Sequence, residues 1–247
     1  AMLSKAGVTG AESALEGPGG FYHAFSGRTD WDFSSVTDGL GTRYELANIT
    51  SKQWPQTGYI QTPIWLATAL AQRHDIRPET IDQIRLELYF FETTYPSPAF
   101  ANPPIRGIAS TAFGVATAVV HKGYPQYGPT TNSVTNMSLP TSELEANPVI
   151  SKLIDRIELV PSRERQPYFP KMTVILKDGT TYEDELNGRE ILRFGLKEEG
   201  ELMDLLAPGL PIPKTQFDQL VYAINHLEEQ SSIDQVVSLT IPPRQED

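Results

Sequence analysis

The 247-residue chain contains no cysteine. That absence excludes disulfides, thiolate metal ligands and cysteine nucleophiles together. Basic residues are in deficit, with 20 Lys and Arg against 31 Asp and Glu, for a formal net charge of −11. Such a charge disfavours nucleic acid or an anionic membrane as a general partner, yet leaves room for a local basic pocket. Histidine is scarce: His23, His74, His121 and His226 are the full set, and their spacing offers no metal site. Long hydrophobic runs are missing too. Ile60 to Leu70 is too short and interrupted to span a bilayer, and the N-terminus lacks the charged-then-apolar order of a signal peptide. The expectation is a soluble cytoplasmic protein without membrane contact, with a mitochondrial location left open. Asn48-Ile49-Thr50 and Asn136-Met137-Ser138 match the glycosylation pattern and, on that expectation, read as chance matches.

What is present supports a folded core. Hydrophobic residues make up 39% of the chain and aromatics 9%, enough for one large or two small domains. No internal repeat is found. Residues 2 to about 46 read as one short helix and a long loop, because Gly17, Pro18, Gly19 and Gly20 break any helical period. Phe21, Tyr22, Phe25, Trp31 and Phe33 in that loop carry too much apolar surface to stay solvated cheaply, at roughly 25 cal/mol per Å². A helix is expected from Gln61 to His74. Ile84, Leu86, Leu88 and Phe90 alternate with polar or amphipathic neighbours, the period of a strand covered on one face. Small apolar residues from Ile108 to Val120 predict a buried helix stopped at Gly123, followed by a loop to Leu139. A short helical stretch from Ser142 continues after Pro148 to Ile154, and Ile157 to Val160 reads as a strand. Met172 to Leu176 and Thr181 to Leu186 flank Asp178-Gly179, a hairpin turn with positive backbone angles. Lys214 to Glu229 and Ile233 to Leu239 show helical spacing. Strands and helices without regular βαβ alternation indicate the α+β class.

The segment Ser51 to Pro63 reads as the rim of a pocket. Lys52 precedes a turn made by Pro55 and Gly58, and a helix opening near Thr62-Pro63 would aim free amide donors at whatever the lysine holds. That arrangement suits an anionic ligand, with Lys52 as a carboxylate clamp or, if desolvated, an acid or base. The competing reading is a surface lysine beside an ordinary helix start. Arg106, before the small-residue helix, is a second candidate for an anion, against a plain surface arginine. His23, in an aromatic loop, is the best titratable candidate, against a structural histidine. Asp30, Asp32 and Asp38 lack calcium-loop spacing, and Gly17 to Gly20 lack the Lys-Ser/Thr ending of a phosphate cradle.

Several stretches occur in an order that carries more than any one of them. They are Ala6 to Gly10, Glu16 to Phe21, Lys52 to Pro55, Ile84 to Phe91, Ala109 to His121 and Met172 to Tyr182. In that order the chain resembles the C-terminal half of the MmgE/PrpD family, which includes 2-methylcitrate dehydratases and cis-aconitate decarboxylases. The resemblance implies a lid-type α+β domain over residues 48–195. A remnant of an all-helical domain precedes it (1–47), and a helical segment returning to that domain follows (196–247). It implies a small polycarboxylate substrate and no redox cofactor or metal. Lys52 and Tyr59 would carry catalysis, and Thr57, Gln61, Ser110, Arg106 and His23 would bind substrate.

This chain departs from the family pattern at two places. A histidine often follows the motif proline by two, four or six residues, where this chain has Thr57, Tyr59 and Gln61. Of an Arg-His-Ser-x-x-Tyr helix start only Ser110 survives, since Ile108, Ala109 and Phe113 fill the other marked positions. Phe113 has no phenol to donate to a developing enolate. The family's helical first half is not matched. A truncated, split or natural half-protein is therefore expected, inactive alone, as a homo-oligomer or with a separately encoded helical half. The alternative is a non-catalytic subunit that binds a small acid or another protein.

Overall fold

The computed structural model describes residues 2–28, 30, 32–54, 56–95, 97–101, 103–107, 109–124, 146–188, 195, 197–207 and 210–243. Trp31, Pro55, Ile108, the expected helix start at Ser142 and most of the loop after Gly123 lie outside the described residues. The chain divides into two compact units, residues 1–46 and 47–247.

The first unit holds three short helices, α1 (Met2–Lys5), α2 (Phe21–Ser26) and α3 (Ser34–Thr37), rather than one helix and a loop. The glycines that break the period also let the chain wind tightly. Gly17 N–H donates to the Ser13 carbonyl at 2.9 Å, and Gly20 N–H to that of Gly17 at 2.7 Å. A Cβ on Gly17 would stand 2.6 Å from Ser13 O, so only glycine fits there. α2 can therefore begin at once, at Phe21. The aromatic surface expected to be covered stays open: Phe21, Phe25 and Phe33 are all exposed. Helices of four to six residues are too short to lay one apolar face over another.

The second unit is α+β. Its elements are α4 (Gly58–Arg73), β1 (Ile81–Tyr89), α5 (Phe90–Thr94), α6 (Thr111–His121), α7 (Pro148–Ile154), β2 (Ile157–Ser162), β3 (Lys171–Leu176), β4 (Thr181–Glu185), α8 (Glu199–Leu206), α9 (Lys214–Asn225) and α10 (Asp234–Leu239). The sheet runs β2-β1-β3-β4. β1 pairs parallel with β2, Ile84 opposite Ile157, and antiparallel with β3, Ile84 opposite Val174. A parallel neighbour requires a crossover, and α6 and α7 lie within the connection. β3 and β4 form the expected hairpin, with positive φ at Gly179 alone.

One sheet face is apolar and the other wet. Ile84, Leu86 and Leu88 of β1, Ile157 and Leu159 of β2, and Met172 and Val174 of β3 are buried in one core with α4, α6 and α7. On the alternate positions Arg85 pairs with Glu158 at 3.2 Å and Lys171 with Glu183 at 2.9 Å. Phe90, expected to extend β1, starts α5 instead. α6 is buried from Thr111 to Val119, as its small apolar composition predicts. Its Gly114 permits close approach to α4, since a Cβ there would lie 2.8 Å from Ile60 Cγ2. Lys122, not Gly123, takes the left-handed conformation that ends α6, with φ 49°. Its ion pair with Asp75 and the bond from Gln72 Nε2 to its carbonyl at 2.8 Å offset that strain.

α4 begins at Gly58, a turn earlier than expected, leaving Pro63 inside the helix. Burial of Ile60 and the Gln61 bonds described below support the turn that Pro63 cannot complete. α9 stops at Asn225, a 3₁₀ turn following at Leu227–Glu229, and α8 lies within the stretch expected to be helical without being singled out by a residue pattern. No described helix is long and apolar enough to cross a membrane.

Candidate functional site

The segment before α4 is locked from beneath. Trp54 and Gln56 are buried, and Gln61 turns back from the first turn of α4 to meet them. Its Nε2 donates to Trp54 O at 3.1 Å and Gln56 O at 3.3 Å, while its Oε1 accepts from Trp54 N–H at 3.2 Å. Gln56 Nε2 donates to the Tyr124 hydroxyl at 2.6 Å. Burial pushes that phenol up to about 12, so it stays protonated at any physiological pH.

At the open end of α4 the neighbouring residue faces elsewhere. The Tyr59 ring stacks on Tyr168, centroids 5.0 Å apart and planes 10° from parallel, and meets Phe100 edge-on at 5.8 Å. Tyr168 lies between β2 and β3 with φ 68°, uncommon for any residue but glycine. Glu92 holds it there. The Glu92 carboxylate, in α5, accepts the Tyr168 backbone N–H at 2.9 Å and that of Tyr89, the residue capping α5. Glu92 is 2% exposed, and no cation pairs with it among the described residues. Burial therefore outweighs the two amide donors and pushes its pKa up to about 7. Burial likewise raises the Tyr168 phenol, followed by the influence of Tyr59 and Glu92. The carboxyl thus fixes the Tyr168 backbone, and through it the ring stacked on Tyr59, which makes this corner a rigid aromatic platform beside a buried acid.

The remaining expected site residues are dispersed. Lys52 and Thr57 are exposed, Thr57 at the N-cap of α4 without a side-chain cap bond. Ser110 is buried and caps α6, its hydroxyl accepting from Phe113 N–H at a long 3.5 Å. Phe113 is fully buried in the core. Arg106 is exposed and pairs with Asp155. His23 belongs to the first unit, in α2, with its Nδ1 buried and unpartnered among the described residues. No hydrogen bond or ion pair among the described residues joins Lys52, Arg106 or Ser110 to Tyr59.

Glu92 and Tyr168 are the functional candidates that sequence reasoning overlooked. Glu92 stands third in a helix after a strand, a capping-box position, and Tyr168 sits between Pro167 and Pro170. Neither pattern alone points to chemistry. Among the described residues no group of three His, Asp or Glu side chains is arranged for a metal ion.

The fold and this corner define an α+β protein with a buried carboxyl and a stacked tyrosine pair. No model of a known protein family matches the chain, and no curated protein matches it.

Proposed function

We propose that this chain is an MmgE/PrpD-like lyase subunit, the lid-type α+β half of an enzyme that dehydrates or decarboxylates a small polycarboxylate. The observation that carries this reading is the Tyr59–Tyr168–Glu92 corner, which joins the pocket-rim segment to a carboxyl titrating near pH 7. Elimination next to a carboxylate needs a base, cations to spread developing charge, and an acid for the leaving group. Tyr59 supplies a polar donor and Lys52 a cation. Glu92 acts as a positioning residue, fixing Tyr168 under Tyr59. Gln61 and Ser110 are engaged with backbone, and Phe113 has no proton to give. The remaining acid and base belong to a helical half, so the isolated chain binds substrate without turning it over. No redox cofactor enters such a step.

Calorimetry with 2-methylcitrate and cis-aconitate tests this. Binding that weakens in Tyr59→Phe and Lys52→Met, with no turnover, is the expected result. Failure of either acid to bind at millimolar concentration rejects the reading. Turnover that survives repurification and disappears in Lys52→Met rejects the incompleteness.

A second reading, a protein-interaction subunit, is favoured by the first unit's surface. Phe25 is 81% exposed and Phe21 51%, in a stretch whose composition calls for burial. The cover would be a second copy or a separately encoded helical half. A mass that stays monomeric across a micromolar dilution series in light scattering excludes the first of these.

A further inference from the structure

Three cations meet where the β3–β4 turn, the 3₁₀ turn Pro78–Thr80 and α7 come together. Lys152, Arg156 and Lys177 line a cleft of about 290 Å³ together with Glu79, and Val149 and Leu153 are among its apolar walls. The segments are tied to one another. Arg156 Nη1 donates to the Ile81 carbonyl, Lys177 Nζ to the Glu79 carbonyl at 2.6 Å, and Lys177 N–H to the Thr80 carbonyl at 2.9 Å. Carbonyl partners orient Arg156 and Lys177 without neutralising them.

Elsewhere on the sheet, cations are paired with carboxylates. Arg73 pairs with Asp184, Arg85 with Glu158 and Lys171 with Glu183. No carboxylate among the described residues forms an ion pair with Lys152, Arg156 or Lys177. The carboxylate of Glu79 turns to Arg77, 3.9 Å away. In a chain with 31 acidic and 20 basic residues, three cations converging on one concave surface without a paired carboxylate are unusual. One forked guanidinium and two ammonium groups match an anion with separated charges, and the apolar walls suit a short aliphatic body.

We propose that this cleft binds a compact di- or trianion, a small organic molecule bearing two or more carboxylate or phosphate groups. The site shares no residue with the Tyr59 corner and goes beyond the function proposed above.

The test titrates the full chain at low salt, where such contacts are strongest, with citrate, pyrophosphate and acetate, followed by calorimetry and amide chemical shifts. Citrate or pyrophosphate should bind more tightly than acetate and move the amides of Glu79, Lys152, Arg156 and Lys177. Whichever of the two binds more tightly assigns the carboxylate or the phosphate source. Lys152→Met alters an exposed side chain that makes no hydrogen bond or ion pair with another described residue, and should weaken binding about threefold to tenfold. Lys177→Met provides the second variant, and circular dichroism checks that both fold. Binding unchanged in both variants, or no binding by either polyanion, overturns the proposal. Binding lost in Lys52→Met and Tyr59→Phe but kept in Lys152→Met and Lys177→Met also overturns it, while leaving the lyase reading intact. Loss confined to the cleft variants does the reverse.

Discussion

In residues 1–46 the rings of Phe21, Tyr22, Phe25 and Phe33 touch one another, with Phe21 and Phe25 centroids 4.5 Å apart, yet Phe25 remains 81% exposed. In residues 47–247 Trp54, Phe100 and Phe113 are all buried. Both units carry aromatic residues, so composition does not separate them. Element length does. α4 and α6 are 16 and 11 residues long and can lay an apolar face across a sheet, whereas α2 has six residues. Among the described residues of the first unit only Gly17 and Gly20 are buried, so that unit has turns and rings in edge-on or tilted contact but no core.

The largest effect expected follows from that contrast. Phe113→Ala empties a fully buried site in α6 and should cost about 3–5 kcal/mol by chemical denaturation. Phe25→Ala removes a ring already in water and should cost less than about 0.5 kcal/mol. Equal losses would show that the first unit is held as firmly as the second.

The next effect depends on pH. Burial, above all, raises the folded pKa of Glu92 to about 7 from an ordinary 4.5. The folded state therefore holds the proton more tightly than the unfolded chain, so stability is greatest below the unfolded pKa. It falls as pH rises through that window to about 7 and is level above it. The shift corresponds to at most about 3–4 kcal/mol. Glu92→Gln keeps an acceptor for the Tyr168 and Tyr89 amides and should flatten this slope in melts run from pH 4.5 to 8. An unchanged slope would mean that Glu92 is not the titrating group.

Gln61→Leu should cost about 1–3 kcal/mol, because it strips partners from buried backbone atoms of Trp54 and Gln56. It also separates two roles for one residue. If stability is untouched and polycarboxylate binding is lost, Gln61 is a ligand group and the backbone bonds are incidental.

Much of the second unit is legible locally. The alternation in β1, the small apolar run of α6, the Asp178-Gly179 hairpin and the stripe of α9 are local patterns, and all four become elements with ends shifted by a few residues. The parallel β1–β2 pairing and the sheet order are not local, and nothing in either strand names its neighbour. Site residues suffer from the same limit. Gln61 displays donors and an acceptor in the sequence, but the backbone atoms that engage them are visible only once residues 54–61 fold back. Glu92 becomes unusual through a contact with Tyr168, 76 residues away, and through burial that no window around it predicts. The turn and helix-start context points to Lys52, yet the structure places it on an exposed stretch.

The smallest effect on stability sharpens the comparison most, because it asks what the first unit is for. Phe25→Ser should leave the denaturation midpoint within about 0.5 kcal/mol of the parent. If exposed rings of α2 dock on another chain, the same change should reduce association in light scattering on a dilution series. A paired variant controls for a second exposed apolar surface, on α9, where Tyr222 is 60% exposed and Ile224 52%. Association that falls with Phe25→Ser and persists with Tyr222→Ser makes the first unit a docking element whose core is completed by its partner. Association that responds to Tyr222→Ser alone moves the contact to the C-terminal helices, and the aromatics of α2 would then remain as exposed in the assembly as in the single chain.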